Sequence, residues 1–340
     1  PSVWNCEPVS PMFDAIILGD GEDAIVEVCA CVRDCRARGL ARRELLLELS
    51  RIPGVYVPSL YDVVVDERST RWGYAVPKPG SGASQVATKR CVADFAATDP
   101  LPQTIVPYMG IVQDRLAVEV LRGCARGCRF CQAGMTYRPV RERPRAQVVE
   151  AAERGLAITG YDEVSLTSLS TTDHSGCAAI LRQLNADLVG SGVRVSIPSQ
   201  RLDSFGVEMA AEVGGARRGG LTFAPEAGSQ RLRDVINKNV SEEDIELAAR
   251  NAFEVGWRRV KLYFMMGLPT ETDEDVVGIA SVAQRVLDIG REVVGRGYKS
   301  GVSVSISVAV FVPKAHTPFQ WSAQLGRDEV IRRQRLLLAS

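Results

Sequence analysis

Cys124, Cys128 and Cys131 lie in the string Arg122-Gly-Cys-Ala-Arg-Gly-Cys-Arg-Phe-Cys-Gln132, with three and then two residues between successive thiols. Thiolates this close can hold three irons of a cubic four-iron cluster and leave the fourth iron open to a chelating ligand. Gly123 and Gly127 let the backbone pass close to such a cluster, because neither carries a Cβ. A structural zinc site asks for four closed ligands. The two histidines, His174 and His316, are distant in sequence, so the zinc reading needs a fourth ligand from elsewhere. A second group, Cys29, Cys31 and Cys35, falls on a segment with helical periodicity, where Cys31 and Cys35 share a face and Cys29 does not. Most of these, with the isolated Cys6, Cys91 and Cys177, read as small buried hydrophobes.

A scaffold must bring the clustered thiols to one edge, and 340 residues can build one that buries most of its apolar surface unaided. With 46% hydrophobic and 24% charged residues, the composition is that of a globular enzyme rather than a disordered chain. Lysine plus arginine equals aspartate plus glutamate at 41 each, so nucleic acid or an anionic membrane could be met only by a local patch. The longest apolar runs, such as residues 302–312, are strand-sized and fall short of the roughly 18 residues a spanning helix needs. No membrane is expected. Nine unevenly spaced cysteines without a secretory leader favour reduced thiols and a cytoplasmic location. The chain opens at Pro1 and closes at Ser340 inside a charged helical pattern, so it is expected to be a piece of a longer protein.

Residues 13–18 read as a strand, followed by the turn Gly19-Asp-Gly-Glu22 and a helix carrying Ile25, Val26 and Val28. From 51 to 110, prolines and glycines punctuate short strands, Tyr61 to Val65 among them, which reads as a connector. From about residue 115 strands and helices alternate, with strands at 117–121, 163–166, 193–197, 220–223, 260–265 and 302–311. Gly160 and Gly256 end helices, and Ser241 opens one through Ser-Glu-Glu-Asp. Right-handed crossovers curl such a parallel sheet. The expected fold is α/β, a six-unit partial (βα)6 TIM-like barrel with ligands at the carboxyl ends of its strands. The divisions are residues 1–50, 51–114 as connector, 115–312 as barrel and 313–340 as the start of a C-terminal extension.

The pattern Cys-x3-Cys-x-Phe-Cys at the end of the first barrel strand resembles the signature of radical S-adenosylmethionine (SAM) enzymes. The longer string from Arg122 to Arg143 is similar to a narrower group of cobalamin-binding-domain radical SAM proteins. So are Ile52-Pro-Gly-Val-Tyr-Val-Pro-Ser59, Leu221-Thr-Phe-Ala-Pro-Glu-Ala-Gly228, Tyr263-Phe-Met-Met-Gly-Leu-Pro-Thr-Glu-Thr272 and Phe311-Val-Pro-Lys-x-His-Thr-Pro-Phe-Gln-Trp321. The resemblance implies a 4Fe-4S cluster on Cys124, Cys128 and Cys131 that cleaves SAM to a deoxyadenosyl radical. It makes residues 1–50 the C-terminal remnant of a doubly wound cobalamin-binding domain. Cobalamin is then a cofactor of the full-length protein that residues 1–340 alone do not retain.

The same resemblance implies the remaining cofactor contacts. Where the family often has Gly-Gly-Glu after the second strand, this chain has Leu166-Thr-Ser-Leu-Ser-Thr171, which offers Ser168 or Ser170 to the methionine amino group. After the third strand Ser199 can meet the ribose and Arg201 the carboxylate, unless Arg201 pairs with Asp203. Glu226 is expected on the ribose or as a cap of the next helix. Gly267 and Phe130 are expected near adenine, with core packing as the alternative for Phe130. His174 reads as a loop residue that could serve as acid or base.

The leading function is a cobalamin-dependent radical SAM methyltransferase, served by an external electron donor such as flavodoxin or ferredoxin. The alternatives are a radical rearrangement or sulfur insertion without catalytic cobalamin, and a non-catalytic zinc or iron-sulfur module. The substrate is open. Arg115, Arg122, Arg126, Arg129, Arg138, Arg141, Arg143 and Arg145 form a local basic excess that could receive RNA, or could serve the fold and cofactor instead.

Overall fold

The computed structural model describes residues 2–65, 73–101, 104–198, 201–203, 206, 212, 220–295 and 301–340. It divides into two units, residues 1–98 and 99–340.

The first unit carries β1 (Ile16–Ile17), α1 (Glu22–Ala37), α2 (Arg42–Ser50), β2 (Val55–Tyr56), β3 (Tyr61–Val65) and β4 (Gly73–Pro77). β1 pairs antiparallel with β2, and β3 with β4. The strand expected from residue 13 narrows to two residues because its partner is equally short and Phe13 is exposed. Beyond it the Leu18 amide donates to Gly54 O at 2.7 Å, and the Arg90 amide donates to Leu18 O at 2.7 Å. Gly19 follows with φ +106, where a Cβ would stand 2.1 Å from Arg90 O, so the chain can cross here only as glycine. Leu49, Val55, Val57 and Leu60 form a small core with Val28, Cys31 and Val32 against it. That core joins residues from both sides of position 50 into one unit.

The second unit is the alternating one. Its parallel strands are β5 (Leu116–Glu119), β8 (Glu163–Thr167), β9 (Arg194–Ser196), β10 (Leu221–Glu226), β11 (Arg259–Met266) and β12 (Ser303–Val310). Two short strands, β6 (Leu121–Arg122) and β7 (Arg141–Glu142), and helices α3 (Gln132–Thr136), α4 (Arg145–Thr159), α5 (Cys177–Asp187), α6 (Gln230–Val235), α7 (Glu242–Glu254), α8 (Asp273–Val294) and α9 (Arg327–Ala339) lie between or after them. Among the described residues the six parallel strands form two sheets, β5-β8-β9 and β10-β11-β12. This is the expected partial barrel.

One face of each sheet packs under the helices. Val260, Leu262 and Phe264 of β11 meet Ile245 and Phe253 of α7 and Ile279 and Val286 of α8, while Leu116, Val118, Val164 and Leu166 meet α4 and α5. Every second strand residue is therefore apolar, as the period of a pleated strand requires. No helix among the described residues is long and apolar enough to cross a membrane.

Helix starts follow the sequence signals. Ser241 Oγ accepts from the Asp244 amide at 3.1 Å, and the Ser241 amide donates to Asp244 Oδ2 at 2.8 Å. Ser241→Ala should lower the unfolding free energy by about 1 kcal/mol, the usual worth of such a cap. Urea titration checks this: the midpoint should fall at unchanged slope, and an unmoved midpoint would show that the cap is dispensable.

Candidate active site

The thiol loop is built before its ligand. β6 pairs antiparallel with β7, so a two-residue ladder closes residues 123–140 at the carboxyl end of β5. At Gly123, φ +91, a Cβ would stand 2.6 Å from Tyr137 O and 2.7 Å from Pro139 O, so the two loop ends approach as closely as backbone allows. The Arg129 amide donates to Ile236 O at 2.9 Å and Asn237 Nδ2 to Gly127 O at 3.0 Å, fastening the loop to the turn after α6. On another side Gln132 Nε2 donates to Ala315 O at 3.0 Å. The C-terminal segment expected to be an extension is thus a brace for the loop.

Cys124, Cys128 and Cys131 are all half-buried. The Cys131 amide donates to Cys128 O at 3.1 Å, and Cys131 Sγ accepts from the Gly134 amide at 3.3 Å at the start of α3. Burial pushes the Cys128 thiol up, the charges of Lys238 and Arg201 pull it down, and the other two thiols push it up again. The three sulfurs therefore act on one another beside two cations. Among the described residues, no three His, Cys, Asp or Glu side chains are gathered tightly enough to enclose a single metal ion. A zinc site would need such a knot. A four-iron cluster holds its thiolates apart on separate irons, so three spaced thiols on a glycine-hinged loop fit it better.

Around this loop runs a chain of ion pairs. Arg126 grips Asp173 with a bidentate fork, Nε to Oδ2 being 2.9 Å, and its Nη1 lies 3.2 Å from Asp203. Arg201 grips the other side of Asp203, Nε to Oδ1 at 2.9 Å, and donates to Lys238 O at 3.2 Å. Lys238 Nζ donates to Glu226 Oε1 at 3.1 Å. Burial raises Asp173, but the hydrogen bonds from Arg126 and Ser170 and the charge of Arg126 outweigh it and hold the carboxyl below its ordinary range. Glu226 ends β10 at φ +71, an uncommon conformation for a residue with a Cβ, and it coincides with a break in the β10–β11 register.

The expected contacts fare unevenly. Arg201 pairs with Asp203, the alternative partner the sequence offered. Glu226 does not cap the next helix, since Ser229 Oγ does so by accepting from the Leu232 amide at 3.1 Å. Ser168 is engaged with the Thr171 hydroxyl at 2.8 Å and the Ser170 amide at 3.0 Å. The Ser170 hydroxyl, on a residue only 3% exposed, meets no partner at full hydrogen-bond geometry although it lies close enough to Asp173 to lower it. Ser199 lies outside the described residues. Phe130 packs with Leu232, Ile236 and Phe311, the core-packing alternative. Gly267 has φ +89 and gives its amide to Glu271 Oε2 at 2.7 Å.

His174 is tethered to the fold: it is buried, its Nδ1 accepts from the Gly176 amide at 2.9 Å and its Nε2 stands 2.9 Å from Arg143 O. Several arginines of the basic lip serve the fold. Arg143 is 3% exposed and donates to Glu119 O, Arg122 forks onto Glu119, and Arg115 pairs with Glu163 at 3.1 Å. Cys177 and Cys35 are buried as expected, with burial pushing the Cys177 thiol up to about 11, whereas Cys29 is exposed. Lys238, Asn237 and the role of Asp173 escaped the sequence reading. Asn237-Lys-Asn239 was the available signal, because asparagines that tolerate positive φ, here +53 at both, mark a turn that aims the lysine between them.

The model of the radical SAM superfamily matches residues 118–283, and that of the N-terminal region of radical SAM proteins matches residues 1–58. The chain belongs to the radical SAM superfamily. An uncharacterized protein of Methanocaldococcus jannaschii is 29% identical over 316 residues, covering 93% of this chain and 59% of its own length. A tRNA-2-methylthio-N(6)-dimethylallyladenosine synthase of Petrotoga mobilis is 26% identical over 182 residues, 50% of this chain and 40% of that one. The chain thus spans about three-fifths or less of the curated relatives it matches. The radical SAM methyltransferase TsrM of Kitasatospora setae, solved with cobalamin and a 4Fe-4S cluster, superposes with a TM-score of 0.58 at 16% identity, over 90% of this chain and 54% of that one. The cobalamin-dependent SAM radical enzyme OxsB superposes with a TM-score of 0.57 at 15% identity, over 97% and 46%. At such identities the likeness shows the fold.

Proposed function

We propose that this chain is the SAM-cleaving part of a cobalamin-dependent radical SAM methyltransferase. The observation that carries the reading is the loop of three thiols at the first strand end, with the Lys238–Glu226 pair beside Cys128. Cys124, Cys128 and Cys131 hold the 4Fe-4S cluster, which when bound supplies the electron for SAM cleavage. The protein's own groups bind and orient. Lys238 exchanges its contact with Glu226 for the SAM carboxylate, a charge-assisted bond at a largely buried site. Glu226, released, accepts from the ribose hydroxyls, with Ser199 as a second contact. The Ser170 hydroxyl, buried beside Asp173, faces the amino group in place of Ser168, which is engaged with Thr171. Arg201 is a positioning residue, fixing Lys238 through its carbonyl, and Gly267 contributes room for adenine rather than a hydrogen bond.

Residues 1–50 serve as the end of a cobalamin-binding domain, supported by the cobalamin named for TsrM and OxsB. Residues 1–340 alone are not expected to retain cobalamin. An external flavodoxin or ferredoxin delivers the electron. Reduced chain reconstituted with iron and sulfide should release deoxyadenosine and methionine from SAM. Lys238→Met should weaken SAM binding about tenfold or more, from the loss of one charged bond, and Lys238→Arg should recover part of it. Absence of deoxyadenosine would end the enzyme reading, and unchanged SAM affinity in Lys238→Met would remove the lysine from the site.

A further inference from the structure

In the first unit a cavity of about 580 Å³ opens between the first half of α2 and the chain that leaves β4, within the size range of ligand pockets. Its polar lining is Arg42, Arg43, Lys78, Ser59 and Ser81, and Leu46, Leu47 and Leu60 form an apolar wall. Among the described residues no carboxylate lines it. The sequence builds the two sides separately. The leucines of α2 turn inward, with Leu49 buried and Leu46 and Leu47 packed against the small core, while the arginines of its first turn stay exposed at the rim. Opposite, the Ser81 amide donates to Lys78 O at 3.0 Å across Pro79-Gly80, and Gly80 has φ +71, the type II turn that proline and glycine favour. The Lys78 amide donates to Leu60 O at 2.9 Å and its Nζ to Ser59 O at 3.0 Å, so the ammonium is held beside Ser59.

Few of these donors are spent inside the protein. Arg42 pairs with Asp14, and Lys78 Nζ has Asp62 at 3.8 Å, beyond hydrogen-bond reach. Among the described residues Arg43 meets no acceptor and the Ser59 hydroxyl no partner, while Ser81 Oγ accepts from the Ala83 amide at 3.2 Å and keeps its proton to give. The cavity at the end of α8 is the contrast. Asp288 and Glu292 line it together with Arg291, which lies 3.4 Å from Asp288, so its charges answer one another.

We propose that this cavity binds a phosphate monoester with an apolar organic body. A dianion with three terminal oxygens offers acceptors to the Arg43 guanidinium, the Lys78 ammonium and the two serine hydroxyls together, more than the two oxygens of a carboxylate supply. The leucine wall takes the body, whose burial adds affinity beyond the charge. The site lies within the first unit and uses none of the residues assigned to SAM or to the cluster.

Calorimetric titration of residues 1–340 with phenyl phosphate tests the site, with inorganic phosphate as the probe without a body and benzoate as the monoanion. Phenyl phosphate should bind at one site per chain, about tenfold tighter than inorganic phosphate because its ring is buried, and tighter than benzoate. Arg43→Gln and Lys78→Gln should each weaken it about tenfold, the worth of one charged hydrogen bond, and Arg43→Lys should recover part of the loss. Arg38→Gln, at an exposed arginine outside the lining, should leave the affinity unchanged. Arg43 makes no contact that the fold uses, so its variant separates binding from folding. No binding of phenyl phosphate at millimolar concentration, inorganic phosphate or benzoate bound as tightly, or unchanged affinity in either cavity variant would overturn the proposal. An equal loss in Arg38→Gln would overturn it too, by marking a diffuse basic surface in place of a site.

Discussion

Replacing Cys124, Cys128 and Cys131 together by alanine is expected to remove all cluster iron, from about four per chain to none, with loss of the brown absorbance. The effect should be complete because no substitute donor is at hand: of the described residues near the loop, His174 has both ring nitrogens engaged and Asp173 and Asp203 are held by Arg126 and Arg201. Folding should survive. The loop is held by the Arg129 amide, the Asn237 side-chain amide and the β6–β7 ladder rather than by the thiols. Metal analysis of anaerobically reconstituted chains, parent and triple variant side by side, gives the answer. Equal iron in both, or one tightly held zinc in the parent, would overturn the cluster assignment.

Arg233→Met is expected to lower the unfolding free energy by about 3 kcal/mol. Arg233 is 0% exposed, and its guanidinium donates to Val240 O at 3.1 Å and Ala227 O at 3.1 Å and pairs with Glu242. Methionine fills much of the volume but leaves the Ala227 carbonyl without its donor and the Val240 carbonyl with only Gln230 Nε2 at 3.4 Å, where an unmet buried carbonyl costs about 1–3 kcal/mol. Glu242 adds little, since its side chain is half exposed and can turn to water. The fork also ties both ends of the turn that carries Lys238, whose amide donates to Arg233 O at 2.9 Å. SAM affinity should therefore fall with stability, while Arg233→Lys, which keeps the charge but not the fork, should lose most of both. Denaturant titration and SAM binding by calorimetry measure the two effects. A stable variant, or one that binds SAM normally, would show that the turn holds without its buried guanidinium.

The barrel was legible in the sequence because its signals are local. Strands at 163–167 and 259–266 lie within a residue or two of their expected bounds, since alternating apolar residues, the Gly160 stop and the Ser241 cap each act over a few positions. The three thiols were legible for the same reason, being neighbours on one loop. What tertiary structure alone decided is which charges meet. Arg126, Asp173, Asp203, Arg201, Lys238 and Glu226 come from loops after different strands, and only the curl of the sheet brings them into one chain. Arg201 had two possible partners in the sequence, a cofactor carboxylate or Asp203. The fold places Asp203 within hydrogen-bond reach and aims Lys238 at Glu226 through a turn fixed by the buried Arg233. A side chain's type states what it can bind, whereas the choice among partners follows from distance and burial, and those belong to the folded chain.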